Sequence, residues 1–250
     1  MIKHHIIMGR AYSIGKRIAL DFCSSEDYPI LFFQKSIADI KKACGDDIAI
    51  STHMVQTDSE EWKSVCKLDK FFEDVELLYD IEQFISLILE DRELSGLDVA
   101  KYILSIIPCT HLKLEKLTYL CYADYICKYD QKLFNDKIYA YRLGPVIASV
   151  YDHYRKSGKG NLLEEDDRKN YDEGDKKMSN RSRIVASKDG LQKLLSIEQT
   201  LEKYKNYEAS ELVNITHRMF SPWYQAGAGE EVSKEITDEL VKKYHINECI

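Results

Sequence analysis

Two histidines and one carboxylate stand where chemistry could start. His153 follows Asp152, His217 sits in Thr216-His217-Arg218-Met219-Phe220-Ser221-Pro222-Trp223, and Asp124 interrupts an apolar run. Imidazole titrates near neutrality, so histidines that meet a carboxylate can move protons in a hydrolytic reaction. The spacings that would commit these residues to such a site are missing. There is no G-x-S-x-G elbow, no Walker loop, no H-E-x-x-H helix and no H-x-E with P-C-x-x-C. Histidines this far apart read first as hydrogen-bonded structural groups or as contacts to a partner. No catalytic residue, cofactor or metal ligand is assigned, and a hydrolase-type enzyme built on His153, His217 and a carboxylate stays as an alternative. Asp124 reads as half of a structural ion pair, because a buried carboxylate costs several kcal/mol unless it is paired. Lys128, one helical turn on, is the expected partner, with Arg142 as a long-range one.

A second group of residues suits recognition rather than reaction. Tyr139, Tyr141, Tyr151, Tyr154 and Trp223 either pack in a core or, for a minority of them, supply the aromatic anchors that dominate binding surfaces.

The elements that must position these groups lie between His111 and Arg155. Leu112 to Tyr129 is apolar around more than one stripe of a 3.6-residue repeat, which predicts a helix surrounded by other elements. Ile138, Tyr139 and Tyr141 make a short β-favouring run within Lys137 to Leu143. Gly144 stops it, since glycine takes φ > 0 without steric cost, and Pro145 is preset to open a helix from Pro145 to Lys156.

Bulk properties exclude several classes. The chain has 250 residues, a net charge of −7 and no apolar run near the roughly 20 residues that span a bilayer. Seven cysteines, none in a C-x-x-C pair, fit reduced thiols in a cytoplasmic protein better than a disulfide framework. Residues 1–95 hold 11 Lys/Arg against 18 Asp/Glu, whereas residues 96–250 hold 24 of each. The acidic first part repels phosphate and the second has no basic excess, so nucleic acid is not the expected partner.

Along residues 1–57 the order reads strand, strand, helix, strand: Lys16 to Phe22, Pro29 to Phe33, Ser36 to Cys44 and Asp47 to Val55. Residues 58–94 read as helical and acidic. Ser95 caps a helix from Leu97 to Ile107, with Asp98 near its positive end. Residues 158–183 are charged and poor in large apolar groups, which predicts a mobile loop anchored by Leu162 and Leu163. Helices follow from about Lys188 to Tyr204, Ala209 to Met219 and Val232 to Tyr244, with Pro222 at the first position of a further element. The fold class is a mainly α-helical C-terminal domain with a short β segment, residues 95–250, preceded by a small acidic α+β module, residues 1–94.

One constellation has a family behind it. Leu114-Glu115-Lys116-Leu117 with Tyr119, then Tyr141-Arg142-Leu143-Gly144-Pro145-Val146, then Val150-Tyr151, resembles the Panacea domain of phage-associated and bacterial toxin–antitoxin operons. Glu211-Leu212, Thr216-His217 and Ser221-Pro222-Trp223 are similar to the closing signature of the same family. The likeness covers about Leu97 to Ala228, with Thr118 and Cys121 smaller or more polar than the family pattern. It implies a compact helical domain that neutralises a cognate protein toxin, encoded by a neighbouring gene, by binding it and without catalysis. Delivery of the complex to a protease is left open. It implies that the module before the domain varies among members and that their toxins are unrelated. On this reading Tyr141, Arg142, Gly144, Pro145, Tyr151, His153, His217 and Trp223 are the candidate partner-binding residues. A DNA-binding regulator of a mobile element or prophage is the other alternative, disfavoured by the acidic bias.

Overall fold

The computed structural model describes residues 1–24, 29–156, 160, 162, 173–228 and 234–249. The chain divides into two compact units, Met1–Glu93 and Leu94–Ile250.

The first unit is a mixed four-stranded sheet with helices. Its strands are β1 (Ile2–Ala11), β2 (Lys16–Ser24), β3 (Ser51–Thr57) and β4 (Val75–Leu78), in the order β3-β1-β2-β4. β1 runs antiparallel to β2 and β3, and β4 runs parallel to β2. Helices α1 (Pro29–Cys44) and α3 (Ile81–Glu90) cover one face, where Ile7, Ile18 and Leu20 meet Ile40, Phe84 and Ile88. Helix α2 (Trp62–Leu68) and the short turn Lys70–Phe72 cover the other, where Ile6, Met8 and Ala19 meet Val65 and Phe72. α3 comes so close to β1 that a Cβ on Gly9 would lie 3.0 Å from Ile88 Cδ1. Asp91 ties the end of α3 to the β1–β2 turn by accepting from the backbone N–H groups of Tyr12 and Ser13, at 2.5 and 3.0 Å.

The order strand, strand, helix, strand holds, but its members change. β1 was not expected from the sequence. It is buried on both faces, so it lacks the apolar/polar alternation that announces a strand. Pro29 to Phe33, expected as a strand, is instead the start of α1. Phe33, Ile37, Ile40 and Cys44 pack on the sheet at helical spacing, and the helix simply runs back through the apolar residues before them. β4 interrupts the stretch 58–94 that reads as wholly helical.

The second unit is built around one helix. α4 (Gly96–Leu104) starts at a capping box: Ser95 accepts from Asp98 N–H while the Asp98 carboxylate accepts from Ser95 N–H. α5 (His111–Tyr129) follows, capped by Thr110 and ended by Asp130 in the left-handed region, φ 56°. As the apolar pattern demands, it is buried on nearly every side, with Leu117, Tyr119, Leu120, Cys121, Ala123 and Tyr125 at 0% exposure. Packed around it are α4, the strand β6 (Gly144–Ile147), and the helices α8 (Gly190–Tyr204), α9 (Ala209–Thr216) and α11 (Asp238–Tyr244).

Two expectations are corrected here. Pro145 does not open a helix. It lies in β6, which pairs antiparallel with β5 (Ile138–Tyr141), and α6 begins only at Ala148 and ends at Tyr154. The run Gly-Pro-Val-Ile pairs because Ile147 and Val146 sit opposite Ile138 and Tyr139 with every β6 residue buried. The segment 158–183 is not all loop, since α7 spans Glu173–Ala186. Ile184 of α7 is fully buried, Arg183 pairs with Asp98 at 3.2 Å and the Asn180 amide donates to the Lys101 carbonyl. Apolar residues are few in its sequence, EGDKKMSNRSRIVA, which leaves little periodicity to read. Leu162 is buried, as expected of an anchor, with its N–H donating to the Cys109 carbonyl. Residues 157–159, 161 and 163–172, including Leu163, lie outside the described residues, as do 229–233 at the start of the expected last helix. Among the described residues, no helix is long and apolar enough to cross a membrane.

Leu120→Ala should lower the stability of the second unit by about 2–5 kcal/mol, the cost of a cavity in a packed core. Urea denaturation followed by far-UV circular dichroism measures it.

Candidate functional site

The hairpin turn between β5 and β6 is fixed from below by two adjacent charged residues of α5. Lys116 is fully buried, and its Nζ donates to the Pro145 carbonyl at 2.5 Å. Glu115 is 2% exposed, and its Oε2 accepts from Ile147 N–H at 2.9 Å while its Oε1 lies 3.1 Å from His111 Nε2. Consecutive helix positions diverge by about 100°, so the pair reaches two points along β6. Burial pulls the Lys116 ammonium down to about 8, partly offset by the charges of Glu115 and Glu248. Gly144 has φ +104°, and a Cβ there would meet Lys116 Cε at 2.8 Å and Thr216 Oγ1 at 3.0 Å. Glycine is needed both for the turn and for the close approach of the lysine stem.

The corner between α9 and α10 (Pro222–Gln225) clamps the same hairpin from the side. Trp223 Nε1 donates to the Tyr141 carbonyl at 2.7 Å, and the His217 ring stacks on the Trp223 ring at 3.7 Å and 4°. Ser221 caps α10, as its position before Pro222 suggests, and its Oγ donates to the Thr216 carbonyl at 2.8 Å. Burial and the nearby Lys116 charge lower the pKa of His217, which favours the neutral ring for stacking.

The sequence-predicted residues therefore fall into two groups. Gly144, Pro145 and Trp223 are buried and hold the turn. Arg142 is exposed at its tip; Tyr141 and Tyr151 are half-buried, ring edge to ring face at 5.2 Å. His217 is half-buried, whereas His153 is exposed and packs on Tyr154 at 4.6 Å. Among the described residues, no hydrogen bond or ring contact joins His153 to His217. Sequence reasoning missed Lys116 and Glu115 as working residues, although a charged pair inside a helix apolar on all sides was a visible signal. It also missed the exposed corner Met219, Phe220 and Tyr224, which are 66%, 52% and 45% exposed.

The expected ion pair of Asp124 with Lys128 does not form. Lys128 donates to Gln199, and Asp124 pairs with His245 Nε2 at 2.9 Å, Thr200 Oγ1 at 2.7 Å and Lys203 Nζ at 3.3 Å. Both side chains face α8, where Thr200 and Lys203 take Asp124 while Gln199 takes Lys128. His245 Nδ1 in turn meets Glu248 Oε2 at 2.7 Å, and Glu248 also accepts from the Tyr119 hydroxyl at 2.9 Å. Burial opposes a charge on His245, but the two carboxylates overcome it and hold the imidazolium up to about 9. These hydrogen bonds and charges keep Asp124 below the usual carboxylate range despite its burial.

This turn, corner and central helix coincide with a known domain. Residues 114–224 match the family model described as antitoxin SocA-like, Panacea domain, so that part of the second unit is similar to that domain. The match starts in α5 and ends in α10, enclosing Lys116, the hairpin and Trp223. No curated protein and no solved structure matches the chain.

Two outcomes are expected. Gly144→Ala should destabilise the second unit by about 1–3 kcal/mol, from backbone strain and the Lys116 contact, read by thermal melting. A histidine held protonated in the folded state stabilises fully below its unfolded pKa of 6.5, and that contribution is lost as pH rises through 9. Between pH 6.5 and 7.5, below the folded-state value of about 8, Lys116 stays mostly charged, folded or unfolded, so unfolding free energy should fall by about 1 kcal/mol over that window. The fall should vanish in His245→Gln, with urea titrations at each pH as the readout.

Proposed function

We propose that this protein is an antitoxin that neutralises a cognate protein toxin by direct binding. The docking face on this reading is the outer side of the hairpin and corner: Tyr141, Arg142, Tyr151 and His217 with Met219, Phe220 and Tyr224. Gly144, Pro145 and Trp223 act from beneath by fixing that face, and His153 lies on α6 beyond Tyr151. One observation carries the choice of face. Phe220 is held at φ 66°, a conformation that costs a bulky residue about 1–2 kcal/mol, while its ring is half exposed. The Asn247 amide braces it by donating to the Phe220 carbonyl at 3.0 Å. Strain that leaves an aromatic ring half in water, edge to the Tyr224 ring at 6.1 Å, preorganises an anchor for a partner. Aromatic residues and arginine are the usual hot spots of protein interfaces. The acidic first unit adds long-range attraction if the toxin is basic.

Co-expression with the neighbouring reading frame should rescue growth, and the two proteins should co-purify. Phe220→Asp combined with Arg142→Glu should weaken the complex by about tenfold or more while the circular dichroism spectrum stays unchanged. A toxic neighbour that is neither bound nor rescued would sink the antitoxin reading. Unchanged binding by the double variant would remove the proposed face and leave the antitoxin reading standing.

A further inference from the structure

At one end of the first unit's sheet, three donor side chains of different chemistry converge. His4 on β1 lies directly opposite Cys23 on β2, and Asp21, two residues before Cys23, shares their face. One imidazole nitrogen, one carboxylate oxygen and the thiol sulfur all lie within 4.8 Å of one another. His4 Nδ1 faces Asp21 Oδ2 at 2.7 Å. The other ring nitrogen, Nε2, lies 3.0 Å from the Ser59 carbonyl and 3.0 Å from Thr57 Oγ1. A carbonyl only accepts, so Nε2 carries a proton, and Nδ1, which shares a proton with Asp21, is the ring atom a cation would take by displacing that proton. A backbone carbonyl holding the far N–H of a histidine is also the usual support behind a metal ligand.

The cluster is incompletely satisfied as it stands. The Asp21 side chain is 5% exposed, and its Oδ1 is buried with no hydrogen-bond partner among the described residues. The Cys23 thiol makes a weak donation to the Glu60 carbonyl at 3.6 Å. A buried carboxylate oxygen left unpaired costs about 1–3 kcal/mol or more. Asp21 and Cys23 also line a cavity of about 450 Å³, together with Glu60, Ser36 and Asp80.

We propose that His4, Asp21 and Cys23 bind one divalent transition-metal ion of the zinc type. Nitrogen, oxygen and sulfur donors together select zinc over magnesium or calcium, which take oxygen alone. Bonds of about 2.0–2.3 Å place tetrahedral ligand atoms about 3.3–3.8 Å apart, so small side-chain shifts convert the present cluster into a site. The His4–Asp21 contact opens slightly and gives up its shared proton, the thiol closes in and loses its own, both protons going to solvent, and a water from the cavity takes the fourth position. Asp21 thereby gains the partner its second oxygen lacks. The ligands come from two paired strands, so no compact sequence motif announces them.

Isothermal titration of the metal-free full-length protein with zinc should show one equivalent bound with sub-micromolar affinity. Cobalt(II) should give a tetrahedral visible spectrum with a thiolate charge-transfer band. Cys23→Ser should abolish that band and weaken zinc by at least about a hundredfold, since even outer-shell losses cost about 10–100-fold. Cys66→Ser, in the same unit, should leave both unchanged. The proposal is overturned if the native protein binds no stoichiometric zinc, or if Cys23→Ser binds zinc and shows the cobalt band as the native protein does. In that case His4 and Asp21 form a structural ion pair alone.

Discussion

Helix α5 is buried on nearly every side, and so each polar group it carries must find its partner inside the protein. This constraint shapes the second unit. Lys116 reaches the Pro145 carbonyl, Glu115 the Ile147 amide, Thr118 the Leu114 carbonyl, and Tyr119 the Glu248 carboxylate. Tyr122 donates to Asp238, and Asp124 takes His245 and Thr200. A surface helix could have left these groups to water. Here each one except Thr118, which bonds back within α5, recruits a segment from elsewhere in the chain: the hairpin, α8, α11 and the 245–248 turn. Breaking one side of such a pair leaves a buried group unpaired, which costs far more than the net value of the bond. The polar contacts of α5 therefore fix which segments surround it, while the apolar contacts supply the driving force.

The same logic explains why Gly144 and Lys116 belong together. A lysine stem needs room to lie flat beneath a turn, and only a residue without Cβ leaves that room at φ +104°. The ammonium then fixes the Pro145 carbonyl, and Trp223 fixes the Tyr141 carbonyl on the other strand. Both strands of the two-stranded β5–β6 sheet are held by side chains from outside it, which is what a short hairpin needs to be rigid.

How much of this was legible in the sequence follows from where the signal sits. α5 was readable because an apolar residue recurs on every face, and the α4 cap because Ser95 and Asp98 have the right separation. The Ser221-Pro222 start was readable for the same local reason. What escaped were features fixed by distant contacts. β1 carries no alternation, because helices bury both of its faces. Pro145 suits a helix start locally, yet pairing of Val146 and Ile147 with β5 overrides that preference. The partner of Asp124 lies 121 residues away, and no local spacing rule reaches it. At the candidate site, the family-like residues were legible as a pattern but not as roles. Lys116 was part of the matched motif, and only its depth shows that it holds the turn.

Those roles separate a scaffold from a surface. The residues that carry the resemblance to the Panacea domain are mostly buried: Leu114, Lys116, Leu117, Tyr119, Gly144, Pro145, Val150, Thr216 and Trp223. Interleaved with them are exposed residues, Arg142, Leu143, Met219 and Phe220, that make no contribution to that core. Substituting a buried member creates a cavity or an orphaned polar group, at a cost comparable to much of a domain's stability. Substituting an exposed one changes stability by roughly 0.5 kcal/mol or less unless it relieves a strained φ. A domain built this way can keep its motif and still change its face. On the proposed reading, that is how one helical frame can hold toxins that share nothing with each other: the buried lysine, glycine and tryptophan set the position of the face, and the side chains at its tips decide what it fits.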